Sequence, residues 1–373
     1  MKLYAYYFPN WHVDPKNEKW HGKGWTEWRV TQYATPRFEG HKQPRVPLWG
    51  YEDEADPKVM EKKIQTAHNY GIDGFIFDWY WHTDGPYRKR CLEEGFLGAK
   101  NNELLDFAVM WCNHTASSLH PSFRYPIASP HAYSTASKEF FREITQYCID
   151  NYFGKPNYIT VDGKPYFSLY SMNKFVEDMG EEDAIEAITD FKKRTVEAGF
   201  SGLHFNISCA NSFKKSTEEM NEYLKKFGID SVSTYSWDFP ETTDLYYDYS
   251  IALDLSKKTY DRVGQIDALA IPTVENGWDD SPRTCQSDIY EVIGYPFMPI
   301  SVNQSPELLE RSLYEFYELA KKHGSDIMTI TSWNEWTECN YLEPDEEFGY
   351  GMLEAVKRFV DSINNQKRKY SNV

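Results

Sequence analysis

The sequence has little of what marks membrane, nucleic-acid-binding or disulfide-stabilised proteins. No apolar run in its 373 residues approaches the roughly 20 residues that a membrane-spanning helix needs. Positive charge is also scarce, because 40 Lys and Arg stand against 57 Asp and Glu, for a formal net charge of -17. A chain of this charge repels nucleic acid and anionic lipid. We therefore expect neither nucleic acid nor a membrane as a partner.

Cysteine is sparse, and no two cysteines have the Cys-x-x-Cys spacing of a zinc or redox site. We expect reduced, partly buried thiols, and we predict no metal and no cofactor. The N-terminus enters a strand directly, without the apolar core or cleavage site of a signal peptide. The expected location is the cytoplasm, or the periplasm or exterior if a leader was removed. The six cysteines are Cys91, Cys112, Cys148, Cys209, Cys285 and Cys339.

Short apolar runs alternate with amphipathic segments along the whole chain, and no Pro/Ser/Gly-rich linker or charge block divides it. Eight parallel-type strands interleaved with helices fit a closed barrel better than an open sheet. We predict a single α/β domain over residues 1–373, a (β/α)8 TIM-type barrel with long βα loops on its C-terminal face. The predicted strands are Leu3–Phe8, Gly74–Trp79, Phe107–Trp111, Tyr166–Tyr170, Leu203–Ser208, Ser231–Tyr235, Ala268–Val274 and Ile327–Ser332. The predicted helices include Asp56–Tyr70, Ser137–Tyr152, Glu181–Ala198, Ser216–Phe227 and Ser305–His323.

Two glutamates, Glu335 and Glu338, stand three residues apart just after the last predicted strand, among tryptophans. On an extended strand this odd spacing would put them on opposite faces. The strand should therefore end at or just after Trp333, and the chain should turn between the glutamates. A carboxyl pair suits glycosidic cleavage, where one group protonates the leaving oxygen and the other acts from the far side. The plain alternative is a solvated acidic loop beside core tryptophans.

Aromatic residues make up 17% of the chain, and many follow predicted strands. In a barrel of this type the strand ends carry the functional residues, and indole and phenol rings suit the apolar face of a sugar. Individually, His12, His82 and His114 could be satisfied in the core, and Asp78 could be a structural acid. Together the strand ends predict a saccharide-binding face. Its candidate residues, besides the catalytic pair, are Tyr7, Trp11, His12, Trp25, Glu27, Trp28, Asp78, Trp79, Trp81, Asn113, His114, Asn206, Tyr235, Trp237, Glu275, Trp278, Asp279, Trp333, Asn334, Trp336, Tyr341 and Glu343.

Several segments resemble the WbsX-like proteins, which are related to the endo-α-mannosidases of glycoside hydrolase family 99. They follow one another along nearly the whole chain. The likeness to the endomannosidases themselves is mainly the Asn-Glu-Trp-x-Glu core at 334–338. The segments are Tyr6–His12, Trp20–Trp28, Gly40–Pro44, Pro272–Arg283, Trp333–Glu338 and Tyr341–Pro344.

The resemblance implies a retaining glycoside hydrolase whose substrate is an α-linked, mannoside-like oligo- or polysaccharide. It implies that Glu338 is the general acid/base. Glu335 would act as a base on the sugar 2-hydroxyl, so that the neighbouring oxygen displaces the leaving group and forms a 1,2-anhydro sugar. Direct attack by Glu335, through a glycosyl-enzyme, would fit two carboxylates as well.

One segment departs from the WbsX-like pattern. Where Trp-Ala-Asn-Glu-Asn-Trp is expected after the third strand, residues 111–116 read Trp-Cys-Asn-His-Thr-Ala. A carboxylate and an indole are missing there. Either the substrate differs from the usual one, or Asp78 and His114 compensate.

Two other functions remain open. A glycosyltransferase of surface polysaccharide synthesis is one, a description that WbsX-like proteins often carry. Against it, the sequence has no Asp-x-Asp and no Gly-rich loop for a nucleotide diphosphate. An inactive sugar-binding barrel is the other: the altered third loop favours it, and the intact glutamate pair opposes it.

Overall fold

The computed structural model describes residues 1–114, 120–124, 135–208 and 215–371. Cys209 and the last two residues of the departing segment, Thr115 and Ala116, lie outside this range. The five cysteines within it are free thiols, as the sequence predicts for them.

Eight strands build the central sheet, and all pairs between them are parallel. The seventh is interrupted at Pro272, which has no backbone N–H to donate. In chain order the strands are β1 (Lys2–Tyr7), β2 (Gly74–His82), β3 (Asp106–Trp111), β4 (Lys164–Leu169), β5 (His204–Ile207), β6 (Ser231–Ser233), β7 (Leu269–Ile271 and Thr273–Glu275) and β8 (Ile327–Thr331).

Hydrogen bonding connects the strands in the order β7 first half, β6, β5, β4, β3, β2, β1, β8, β7 second half. The first half of β7 pairs with β6, Leu269 lying opposite Ser231, and the second half pairs with β8, Thr273 opposite Thr329. Because the two ends of this order are halves of one strand, the sheet closes on itself. The predicted (β/α)8 barrel is confirmed.

Helices cover the outside of the barrel, and all five predicted helices are present. Each of four begins one residue after its predicted start, because Asp56, Ser137, Ser216 and Ser305 are N-caps whose side chains accept backbone N–H groups. The helices are α1 (Pro15–His21), α2 (Trp28–Gln32), α3 (Pro57–Asn69), α4 (Lys138–Cys148), α5 (Met172–Met179), α6 (Glu181–Glu197), α7 (Thr217–Phe227), α8 (Tyr249–Val263), α9 (Pro306–Lys322) and α10 (Gly351–Ser371). Within the described ranges, no helix is both long and apolar enough to cross a membrane.

Several predicted boundaries are wrong: for example, β2 runs to His82 and not Trp79, and β6 ends at Ser233 and not Tyr235. The segment Ser137–Tyr152 is not one α-helix, because α4 stops at Cys148 and a π-helical turn, Ile149–Phe153, continues it. The last strand ends at Thr331, two residues before Trp333. The Ser332 hydroxyl accepts the Glu335 backbone N–H (2.8 Å) and donates to the Asn340 carbonyl (2.6 Å). These two bonds start a turn in place of further strand.

The barrel interior and the contacts between strands and helices form one continuous apolar core. All nine residues of β2 are buried, since a parallel barrel strand contacts side chains inside and helices outside. The sheet is so closely packed that a Cβ at Gly74 would lie 2.3 Å from the Asp106 carbonyl oxygen. All strands run the same way, so their following loops meet at one end of the barrel.

Replacing Gly74 by Ala should lower the free energy of unfolding by about 1–3 kcal/mol, because the added methyl group forces β2 and β3 apart. Urea denaturation measures this. Gly154→Ala is the matched control, since nothing lies within 4 Å of a Cβ there and its φ of -80° suits alanine. Equal stabilities for the two variants would contradict the close packing.

Candidate active site

The two glutamates lie on a short hairpin that follows β8. Strand Asn334–Glu335 pairs antiparallel with Asn340–Tyr341. Between them the 3₁₀ turn Trp336–Glu338 and a left-handed residue, Cys339 (φ 48°), reverse the chain. The chain thus turns between Glu335 and Glu338, as the sequence predicts, and both carboxylates open into the same cavity.

A single guanidinium group joins the two carboxylates. Arg283 donates from Nη2 to Glu335 Oε2 (2.8 Å), and its Nη1 contacts Glu338 Oε1. The same side chain donates from Nε to Thr337 Oγ1 (2.9 Å) and from Nη1 to the Tyr295 hydroxyl (3.0 Å). Every one of its nitrogens is therefore engaged, which fixes the guanidinium and, through it, the carboxylates.

Burial and charge both act on the protonation of this pair. Glu335 and Glu338 are 3% and 5% exposed. Burial and the Glu338 charge raise the pKa of Glu335 well above its usual value, and Arg283 opposes this rise. Burial likewise raises the pKa of Glu338, again against the effect of Arg283. The pair therefore retains a proton to higher pH than two exposed glutamates would.

A third carboxyl, Asp78, faces Glu335 across a tyrosine. The Tyr235 hydroxyl lies 2.8 Å from Asp78 Oδ2 and 3.1 Å from Glu335 Oε1. Burial raises the pKa of Asp78 to about 8, and the Tyr235 hydrogen bond only partly offsets this. Asp78 therefore keeps its proton to a higher pH than an exposed aspartate does.

Glu27 has the opposite protonation tendency. Burial raises its pKa, but the charges of Arg283 and Arg88 more than offset this and lower the pKa below its usual value. Its oxygens also accept a hydrogen bond from Thr337 Oγ1 (3.0 Å) and contact Asn10 Nδ2. Glu27 is thus ionised to a lower pH than an exposed glutamate, unlike Glu335 and Glu338.

Aromatic rings enclose the second arginine of the site. The Arg88 guanidinium lies 4.4–4.8 Å from the ring centres of Phe8, Tyr80 and Tyr87. The residue has a left-handed backbone, φ 60°, which turns it out of the hairpin after β2. Cation–π contact in a desolvated position favours the charged form.

These groups surround a cavity of about 550 Å³ at the C-terminal end of the barrel. This is the size range of small-molecule and cofactor sites. Among the described residues, no three His, Cys, Asp or Glu side chains are grouped to hold a metal. The lining residues are Phe8, Asn10, Asn17, Trp20, His21, Trp25, Glu27, Asp78, Tyr80, His82, Tyr87, Arg88, Met110, Cys112, His114, His120, Tyr170, Tyr235, Ser236, Trp237, Asp238, Phe239, Trp278, Arg283, Tyr295, Met298, Glu335 and Glu338.

The sequence model of the family described as Glycosyltransferase WbsX matches residues 3–356. The chain belongs to this family.

Two curated proteins are similar to it, both described as uncharacterized protein WxcX, from Xanthomonas campestris pv. campestris strains B100 and ATCC 33913. They are 24% and 25% identical over 374 and 370 residues, in each case 95% of this chain and 49% of the relative. The chain therefore spans about half the length of the curated relatives that it matches.

Solved structures resemble this WbsX-family barrel at low sequence identity. A GH99 endo-α-mannosidase from Bacteroides thetaiotaomicron in complex with bis-tris propane has a TM-score of 0.61, with 16% identity over 98% of each chain. A glycoside hydrolase-like protein has a TM-score of 0.58, with 14% identity over 96% of this chain and 93% of the other. At these identities the likeness concerns the fold.

The cavity brings together nine of the residues predicted from the sequence: both catalytic candidates and seven of the binding candidates. The seven binding candidates are Trp25, Glu27, Asp78, His114, Tyr235, Trp237 and Trp278. Their role in binding a saccharide stays a prediction.

The other predicted binding residues do not line the cavity, and their predicted role has no support from the cavity wall. Some make hydrogen bonds behind the cavity wall. For example, Asn334 exchanges hydrogen bonds with the Phe8 backbone (2.8 and 2.9 Å), and Glu275 accepts the backbone N–H of Trp237 (2.7 Å). These residues are Tyr7, Trp11, His12, Trp28, Trp79, Trp81, Asn113, Asn206, Glu275, Asp279, Trp333, Asn334, Trp336, Tyr341 and Glu343.

Two arginines of the cavity, Arg88 and Arg283, are not among the residues predicted from the sequence. Arg283 lies at the end of the Pro272–Arg283 segment, which already stands out by its resemblance to the WbsX-like proteins. A search for a cation to balance two buried glutamates would have pointed to it. Arg88 has no such signal, because only the folded chain puts it among three rings.

A second buried ion cluster supports the hairpin from below. Lys63 Nζ lies 2.5 Å from Glu54 Oε1 and 2.5 Å from Glu343 Oε1. The other oxygen of Glu343 accepts from Trp336 Nε1 (2.8 Å), and Glu54 accepts from Asn334 Nδ2 (3.0 Å). Both neighbours of Glu335 in sequence are thereby tied to this cluster.

Lys63→Ala should lower the free energy of unfolding by about 3–5 kcal/mol, because it leaves two carboxylates buried without their cation. Lys62→Ala is the control, since its pair with Glu52 is partly exposed and should be worth about 1 kcal/mol or less. Urea denaturation of both variants tests this. A loss at Lys63 no larger than that at Lys62 would contradict the role of the cluster.

Proposed function

We propose that this protein is a retaining glycoside hydrolase that cleaves an α-linked, mannoside-like glycan, with Glu335 and Glu338 as the catalytic pair. One observation carries the proposal. Two buried carboxylates, both contacting Arg283, open into a single cavity at the functional end of a (β/α)8 barrel. The likeness in fold to a GH99 endo-α-mannosidase supports it.

The roles follow from the protonation of the pair. Cleavage needs one carboxyl that still holds a proton near neutral pH and one that can accept a proton or attack. Burial raises both pKa values, the charge of Glu338 adds to the rise at Glu335, and the charge of Glu27 adds to that at Glu338, so a proton is available on the pair. We assign this proton to Glu338, as the acid for the leaving oxygen, because residues 334–338 resemble the endomannosidase core that has its acid at this position. Glu335 then acts as the base on the sugar 2-hydroxyl or as the direct nucleophile.

Aromatic rings supply the binding surface. Trp25, Trp237, Trp278 and Tyr295 line the cavity together with the carboxylates. Flat apolar rings next to hydrogen-bonding groups match the two sides of a pyranose. These rings support a saccharide as the occupant.

The altered third loop bears on which saccharide is bound. His114 lies on the cavity wall, with its ring centre 5.2 Å from that of Tyr170 and 6.1 Å from that of Tyr80. Asp78, on the neighbouring strand β2, is a carboxyl in the same cavity. We propose that the substrate preference differs from that of the usual family pattern, because His114 stands on this wall where the pattern has a glutamate.

Glycosyl transfer from a nucleotide sugar is the second candidate, favoured by the description of the family. The charges of the cavity oppose it. Five carboxyl groups line the wall against two arginines, and both arginines lie within 4.0 Å of a glutamate. A nucleotide diphosphate would have to break those ion pairs and then lie against carboxylates.

Glu338→Gln should reduce turnover of substrates with poor leaving groups by about 10²–10⁴-fold, because general acid catalysis is lost. Activated aryl glycosides, which need no proton, should be spared. Glu335→Gln is the matched comparison, and it should impair both substrate types. Steady-state kinetics measures this, and cleavage of both types at the wild-type rate by Glu338→Gln would overturn the assignment.

Arg283→Met should move the loss of activity at high pH to still higher pH. Arg283 lowers the pKa of both glutamates, so its removal lets the acid keep its proton longer. The profile of kcat/KM against pH measures this. An unchanged alkaline limb with reduced activity would mean that Arg283 does not set the protonation of the pair.

Two measurements separate the candidate functions. A panel of α-linked oligosaccharides, followed by chromatography, should yield shorter products for a hydrolase and none for a pure binder. Calorimetry with nucleotide sugars should show no binding. Tight nucleotide-sugar binding without hydrolysis would favour the transferase.

A further inference from the structure

The Tyr235 hydroxyl bridges two carboxyl groups but has a single hydrogen. It lies within hydrogen-bond distance of both Asp78 Oδ2 and Glu335 Oε1. A phenol can donate one hydrogen bond and accept others. If both carboxyls were ionised, one of them would face the phenol oxygen without a proton between them. With one of the carboxyls protonated, both contacts are satisfied, because that carboxyl donates a hydrogen bond to the tyrosine oxygen and the tyrosine O–H donates to the other carboxyl.

The neighbours decide which carboxyl this is. Glu335 receives a hydrogen bond from Arg283 Nη2 (2.8 Å) in addition to the tyrosine. Both donors favour its ionised form, against the burial and the Glu338 charge that raise its pKa. Asp78 has no hydrogen bond from a cation: among the residues that the structure describes, Tyr235 is the one side chain hydrogen-bonded to Oδ2, and Oδ1 has no hydrogen-bond partner.

The charged and titratable groups around Asp78 come from several elements. From its own strand and the hairpin after it come Tyr80 and Arg88, from the end of β3 Cys112, and from the loop after β6 Tyr235. Glu335 and Glu338 face it from the hairpin after β8, and Arg283 from the loop after β7. The two arginines favour the ionised form of Asp78. The nearby Glu338 and the burial of the site oppose them and prevail, since the pKa of Asp78 is raised to about 8.

We propose that Asp78 is a positioning residue that holds a proton and, through the Tyr235 hydroxyl, orients Glu335 and favours its ionised form. The chain of donation runs from the Asp78 carboxyl to the tyrosine oxygen, and from the tyrosine O–H to Glu335 Oε1. This inference rests on the proposed function, because it supplies the ionised base that the hydrolase requires. It also explains why an aspartate can lie in the cavity without adding a further charge.

Infrared difference spectroscopy of the full chain tests the proton without any substrate. A protonated carboxyl band should be present at pH 6 in the wild type, should disappear as the pH rises through about 8, and should be absent in Asp78→Asn. Glu275→Gln is the matched control, because Glu275 is another buried carboxyl with a pKa of about 8 outside the cavity. It should remove a different band and leave that of Asp78. A band of Asp78 that is already lost at pH 5 would overturn the proposal.

The link through the tyrosine has its own spectroscopic test. In Tyr235→Phe, Glu335 loses a hydrogen-bond donor. Its carboxylate band should therefore be replaced by a protonated-carboxyl band at a higher pH than in the wild type. Thermal unfolding confirms that the variant is folded. A Glu335 titration unchanged by Tyr235→Phe would overturn the proposal.

Kinetics then distinguishes orientation from simple structural support. Asp78→Asn keeps a hydrogen-bond donor towards Tyr235, so its kcat should remain within about 10-fold of the wild type. Asp78→Ala and Tyr235→Phe should each lose about 10- to 100-fold in kcat with little change in KM, as expected for a hydrogen bond to a charged group. Equal losses in Asp78→Asn and Asp78→Ala would overturn the proposal. If no glycan is cleaved at all, the proposed function fails while the infrared result still decides the state of Asp78.

Discussion

The ion pairs of one buried arginine organise this site. Two glutamates three residues apart would repel each other in a desolvated pocket, and an isolated buried carboxylate costs several kcal/mol. Arg283 offsets that cost by binding both at once, with each Nη facing a different glutamate. The same geometry explains why neither carboxylate turns away into solvent.

The barrel supplies the surroundings that set the protonation of this pair. Since its strands are parallel, the loops that follow them converge at one end, and the carboxyl groups of Glu27, Asp78, Glu335 and Glu338 come from three of these loops and strands. Burial raises some of their pKa values, and the arginines lower others. The result is a set of carboxyls in different protonation states within one cavity, a pattern that acid–base chemistry uses.

Behind the cavity, several polar groups predicted to bind the sugar make hydrogen bonds and ion pairs within the protein. Asn334 fastens the hairpin to the end of β1, and Glu343 joins the cluster of Lys63 and Glu54. Asp279 pairs with His41 (2.7 Å), which lowers its pKa to about 2 although burial alone would raise it. A motif rich in aromatic and acidic residues thus contains both the carboxyl groups that face the cavity and the groups that hold them.

The sequence by itself determined the alternation of strands and helices, the barrel, and the acidic pair after the last strand, because these depend on periodicity and on short spacings. The ends of the strands were not fixed in this way. The side-chain hydrogen bonds of Ser332 end β8 earlier than the apolar pattern indicates. Only the tertiary structure decided which candidates reach the cavity and what charges they carry. Arg283 lies 52 residues before Glu335, and Tyr235 lies 157 residues after Asp78. No local pattern encodes such contacts, and protonation depends on the burial that they create.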